Sequence, residues 1–161
     1  MTPELVFLVL ATPVAVWVAW SDMARMTIPN AAVGALVAIY ALAGVMLLPM
    51  EEYLWRWVHL GVMLAVGIVA WMARLVGAGD AKFAAAMAPF VALSDLSFVF
   101  YLFAAVLLAA FATHRLAARI GAVRALVPNW RSWEEKKDFP MGLALAGTLV
   151  LYLAMKAASA A

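Results

Sequence analysis

Leu96-Ser-Phe-Val-Phe-Tyr-Leu-Phe-Ala-Ala-Val-Leu-Leu-Ala-Ala-Phe-Ala-Thr113 is a run of eighteen residues without one charged side chain. A helix needs about 20 apolar residues to cross a bilayer, within a range of about 17–25. This run meets that requirement and has no use in a small water-soluble domain. The rest of the chain agrees. Of its 161 residues, 69% are hydrophobic and 12% charged. A soluble domain averages about 45–50% apolar and about 25% charged residues, and a domain this small could not hide the excess. The composition excludes a disordered chain and a lone soluble enzyme. It predicts an all-α integral membrane protein, a bundle of about six transmembrane helices in a single domain, 1–161.

The spans expected from hydropathy are 4–20, 29–48, 57–75, 81–93, 96–113 and 139–156, the fourth being short. Glu4 stands where a signal peptide would carry positive charge, so the first span is expected to be retained. Nine of the eleven basic residues fall on one side of a six-span arrangement. They are Arg25 in the first loop, Arg74 and Lys82 around the third, and Arg115, Arg119, Arg124, Arg131, Lys136 and Lys137 in the fifth. The positive-inside rule places these loops in the cytoplasm and both termini outside. Only Arg56 and Lys156 fall on the other side, and the outer halves of the spans read as nearly free of ionisable groups.

The fifth loop, 114–138, is long and basic. Leu116, Ile120, Val123 and Val127 recur at near-helical spacing among its arginines, which predicts a helical extension or a basic helix lying on the inner surface. Its charge suits anionic lipid better than nucleic acid, and Trp130 and Trp133 suit the headgroup zone. The lipid bilayer is thus an expected partner and nucleic acid is not.

There is no cysteine, so no thiol nucleophile or Cys-type zinc site is possible. His59 and His114 fall on opposite sides and cannot share a metal. The serines lack a nucleophile-elbow context. Of the nine acidic residues, Glu4, Glu51, Glu52 and Asp95 fall outside, and Glu134, Glu135 and Asp138 read as a solvated mixed-charge run. Asp22 and Asp80 remain, both at the cytoplasmic edge, where an ionisable group defaults to a functional reading. Asp22 is expected in a short return loop that ends at Ile28-Pro29-Asn30. Asp80 closes Gly77-Ala-Gly79-Asp80, whose glycines allow left-handed or tight backbone and close approach of another chain. Loosened backbone there could receive an extended peptide by strand-like addition.

Two carboxylates facing one site form an acid–base pair that shares a proton. One takes a proton from water while the other polarises a scissile carbonyl. This chemistry calls for no metal and no cofactor. Taken singly, Asp22 also fits a cap of the second helix or a partner of Arg25, and Asp80 fits a helix N-cap. Lys82 reads as an interface anchor or as a group that attracts a substrate carboxylate.

Gly77-Ala-Gly79-Asp80 resembles the GxGD motif of intramembrane aspartyl proteases. Asp22 with Ile28-Pro29-Asn30 resembles the first aspartate motif of type IV prepilin peptidases. Phe139-Pro140-Met141-Gly142-Leu143-Ala144-Leu145-Ala146 is similar to the signature opening that family's last helix. The resemblance covers essentially the whole chain. It implies an aspartic-type endopeptidase of the bacterial inner membrane, active at the cytoplasmic face, that removes the short basic leader of pilin-like precursors. It makes Asp22 and Asp80 the catalytic pair. Gly77 and Gly79 would shape the site, and Pro140 and Gly142 would pack the last helix beside it. The four-cysteine segment that many members carry for N-methylation is missing, so the chain resembles the short, peptidase-only branch of tight-adherence (Flp) pilus systems, with no methyltransferase activity expected. Archaeal preflagellin peptidases share the GxGD logic. Outside the family, the same two carboxylates would serve a small transporter or proton-relay protein, or act only as caps in an assembly protein. No oligomeric state follows from the residues.

Overall fold

The structure, a computed structural model, describes residues 2–135 and 138–160. Lys136 and Lys137, counted above among the cytoplasmic charges, lie outside the described residues. The described chain is helical: α1 (Pro3–Arg25), α2 (Asn30–Leu47), α3 (Met50–Met72), α4 (Ala78–Met87), α5 (Leu96–Ala117), α6 (Gly121–Leu126) and α7 (Met141–Ser159). Five of these, all but α4 and α6, are long and apolar enough to cross a membrane. The fold is an all-α membrane bundle.

The short fourth segment is α4, ten residues long and about 15 Å from end to end. It continues through 3₁₀ turns at Ala88–Phe90 and Leu93–Asp95. A stretch this short survives at bilayer depth because other helices surround it and take its backbone groups. Phe83, Ala86, Met87 and Phe90 are buried in the common core, and α4 packs on α3, α2 and α7. A Cβ on Gly67 would come 2.9 Å from the Cβ of Ala81, so α3 and α4 touch at backbone distance.

Between transmembrane helices, lipid and side chain are equally apolar. Association therefore rests on close packing and hydrogen bonds rather than on expulsion of water. The largest interface joins α1 to α7. α1 buries a stripe at Phe7, Ala11, Ala15 and Val18, and α7 buries Gly142, Ala144, Leu145, Ala146 and Leu149. The small residues let the two backbones approach. α1 begins with the Thr2 hydroxyl accepting from the Leu5 N–H and with Pro3 in its first turn. Pro13 removes one bond from its ladder.

Several helix ends lie beyond the hydropathic boundaries. α1 runs on to Arg25, so Asp22 sits in its last turn and not in a return loop. α3 starts at Met50 and α5 ends at Ala117. Hydropathy marks where lipid stops, whereas a helix continues as long as its backbone bonds do. α1 is closed by Met26 in the left-handed conformation, φ 56°, with its N–H on the Asp22 carbonyl at 2.8 Å.

At the end of the bundle remote from Asp22, the outer halves of the spans are not free of ionisable groups. Arg56, 7% exposed, pairs with Glu52 at 2.6 Å and donates to the carbonyls of Pro89 and Phe90, each at 3.3 Å. Asp95 pairs with Lys156 at 3.0 Å and accepts from the Tyr152 hydroxyl at 2.8 Å. Each of these charges is matched, Arg56 with Glu52 one turn away on α3 and Asp95 with Lys156 across the bundle, which is what makes them tolerable at that depth. Phe7, Tyr40, Tyr53, Trp57 and Phe90 pack edge-on and stacked beside them.

The basic loop is helical in part, as its spacing predicts. α5 extends past the span, and a separate short α6 follows. Trp130 and Trp133 are not free interface anchors. Trp130 meets Trp20 edge-on and stacks on Trp133, which stacks in turn on His114. The loop is thereby folded against the ends of α1 and α5.

Candidate active site

Asp22 and Asp80 line one pocket of about 280 Å3, together with Met26, Thr27, Ile28, Asn30, the Gly77–Gly79 turn and Lys82. The helix ends explain the meeting. α1 delivers Asp22 in its last turn, and α4 delivers Asp80 in its first. Both helices pack on α2 and α7, which bring the end of one to the level of the start of the other.

Asp22 is only 5% exposed. Its Oδ2 accepts the Gly142 N–H at 2.7 Å. That amide is one of the unsatisfied donors in the first turn of α7, where the helix dipole also favours a negative charge. A Cβ on Gly142 would fall 2.9 Å from the same oxygen, so glycine is the residue that lets the backbone reach the carboxylate. Pro140, fully buried, precedes the first residue of α7 and starts the helix at this level. The motif around Pro140 and Gly142 thus lies on Asp22, 120 residues away in the chain.

Asp80 reaches back to the backbone of Gly77, the residue that caps α4. A Cβ on Gly77 would come 2.6 Å from Asp80 Oδ2. Gly79 lies over Ile28, with 3.3 Å from an added Cβ to the Ile28 Cβ. Neither glycine has a positive φ. The expected left-handed backbone is therefore absent, and close approach is the reason for both. Gly79 is also inside α4 and the Gly77 carbonyl accepts from Ala81 at 3.0 Å. The loosened strand-like edge expected at this motif is mostly consumed by the helix.

Among the described residues Asp22 neither caps α2 nor pairs with Arg25, whereas Asp80, in the first turn of α4, closes on the backbone of the capping Gly77. α2 is preceded by Pro29 and has no side-chain cap. Arg25 donates to the Ser21 hydroxyl at 3.2 Å, and that hydroxyl donates to the Thr27 carbonyl at 2.9 Å. Ser21 and Arg25 thus brace the turn after α1. Lys82 donates to Asn30 Oδ1 at 3.2 Å on the exposed rim. Among the described residues neither aspartate has an ion-pair partner.

Asn30, Thr27 and Ile28 belong to this pocket although sequence reasoning did not single them out as site residues. Their signal was the Ile-Pro-Asn triplet itself, which ends the loop from Asp22 and begins α2. His59 and His114 stay apart: His59 lies against the Val91 carbonyl at 3.2 Å, and His114 is enclosed by Trp133 and Phe139. Among the described residues, no three His, Asp or Glu side chains gather as metal ligands.

The family model described as the type IV leader peptidase family matches residues 9–113. The matched stretch holds Asp22, the Gly77–Asp80 turn and Lys82, and it stops before Pro140 and Gly142. No curated protein and no solved structure matches the chain.

Proposed function

The chain belongs to the type IV leader peptidase family, and on that premise we propose that it is an aspartic endopeptidase that cuts the leader from pilin-like precursors at the cytoplasmic face of the inner membrane. The observation that carries the reading is the shared pocket of Asp22 and Asp80. Two carboxyls brought together without a countercharge favour holding one proton between them. The ionised member removes a proton from a water as its oxygen attacks the scissile carbonyl. The protonated member donates to the carbonyl oxygen, giving a neutral gem-diol. The first then returns its proton to the amide nitrogen as the C–N bond breaks, and the second recovers its own from the diol. The Gly142 N–H holds one carboxylate still. Because such a pair titrates as a unit, the roles belong to the dyad.

Lys82 and Asn30, on the rim, are placed to meet the peptide as it enters. With the basic loops in the cytoplasm and both termini outside, the pocket opens where a leader rich in basic residues is held against anionic lipid.

The test is cleavage of a co-expressed precursor, read as a mass shift, for wild type, Asp22→Asn and Asp80→Asn at matched membrane levels. Wild type is expected to cut and both variants to fail. A variant that cuts at a comparable rate removes the shared-proton mechanism.

A further inference from the structure

A second cavity of about 600 Å3 lies on the lipid side of the bundle. Its longest wall is one face of α3, from Trp55 through Val62 and Val66 to Ala70. Fifteen helical residues of separation make that wall about 22 Å long, against a hydrocarbon core of about 30 Å. Phe100 and Phe103 of α5 face it, and Ala84 and Ala88 form part of the floor. The groove exists because α3 packs on α4 while α5 packs chiefly on α7. Of the residues of α5, only His114 is buried. Asp80 lines this groove as well as the polar pocket, whereas Asp22 lines only the pocket. The two cavities therefore meet at Asp80. One is polar and lies at the membrane face; the other is apolar and approaches the length of a membrane helix.

We propose that the groove seats the apolar helix of the substrate, with the start of that helix at Asp80 and the leader drawn across the pocket toward Asp22 and Lys82. This rests on the peptidase reading above. A substrate made of a polar leader joined to an apolar helix needs two compartments of these characters, joined at the scissile bond. The alanine floor allows a helix backbone to come close, which an acyl chain does not require. A second copy of the chain would have no reason to reach Asp80 from within the bilayer, and the substrate must.

The chain has no cysteine, so single cysteines report cleanly. Val66→Cys lies in the groove, and Met46→Cys on α2, outside it, is 85% exposed. In membranes holding a precursor with one cysteine in its helix, oxidation is expected to cross-link position 66 and not position 46. The double variant Val62→Trp/Val66→Trp narrows the groove from exposed positions. It is expected to slow cleavage of the membrane-inserted precursor about tenfold, and that of a soluble peptide carrying only the leader and scissile bond by less than about twofold. A wild type that cuts the precursor and ignores the peptide also supports the groove. Equal cross-linking from position 46, cross-linking of position 66 between two copies, or undiminished precursor cleavage by the double variant overturns the groove and leaves the peptidase standing. A wild type that cuts neither substrate removes the peptidase reading, and the groove's role with it.

Discussion

The two ends of the bundle treat charge in opposite ways. At the Arg56 end every charge named is matched. Arg56 has Glu52 and two carbonyls, and Asp95 has Lys156 and Tyr152. At the Asp22 end, two carboxylates face one pocket with backbone groups for company. Lys82, the cation that lines that pocket, is engaged by Asn30. Matched charges hold helices in place. Unmatched ones of like sign are a cost to the fold, and their retention is most simply understood as a demand of chemistry. On the proposed reading, the contrast sets structural ionisable groups apart from functional ones within a single small membrane protein.

The strongest way to break the contrast is at the carboxylates. Asp22→Asn and Asp80→Asn are each expected to lower precursor cleavage about a thousandfold, since general acid–base partners contribute about 10²–10⁴. Both are expected to leave resistance to denaturant in detergent unchanged or raised, because a repulsion is removed. Arg56→Met should show the reverse. It strands the Pro89 and Phe90 carbonyls, at a loss of about 2–3 kcal/mol, measured by denaturant titration in micelles. The fraction that remains folded should cut at the normal rate. Loss of cleavage without loss of stability would move Arg56 to the functional side.

Gly142→Ala sharpens the comparison, since it changes geometry without changing charge. Its Cβ would be driven 2.9 Å from Asp22 Oδ2. Overpacking of this kind costs about 1–3 kcal/mol. A fall in kcat of about tenfold with little change in KM is expected if the displaced group acts in the transition state. The smallest effect belongs to Lys156→Met. The Lys156 side chain is 37% exposed, and its pair with Asp95 is worth about 0.5–1 kcal/mol, with cleavage untouched.

The fold class was legible because long apolar runs have few uses; the same arithmetic led to six spans, whereas five helices are long and apolar enough to cross and the expected fourth span is the ten-residue α4. Asp22 and Asp80 could be picked out by elimination, since the basic residues oriented the chain and the other acids had ordinary readings. Helix ends were less legible. The last turn of α1 is Ser21 to Arg25, a polar segment that hydropathy reads as loop and the backbone continues as helix. The partners of Arg56 and Asp95 were hidden because a charge near a span reads as solvated until the packing of distant segments is known. Phe90 is 34 residues from Arg56, and Lys156 is 61 from Asp95. Of the two reasons the sequence offered for Gly77 and Gly79, left-handed backbone and close approach, only the second holds: both sit at ordinary φ and are small because a carboxylate and Ile28 come close. Gly142 was placed near the site by resemblance alone, and no spacing rule would have set its amide on Asp22.

The hold of Arg56 on the Pro89 and Phe90 carbonyls makes α4 a gauge block. One end is clamped to α3, and Asp80 sits a fixed number of residues from the clamp. Inserting or deleting a single residue between them would turn Asp80 about 100° around the helix and shift it about 1.5 Å along the axis. The carboxyl would leave its pocket, together with every α4 residue on its side of the change. Length between Gly77 and Phe90 should therefore be far less tolerant of change than composition, and deletion scanning of this segment would lose cleavage at the first step.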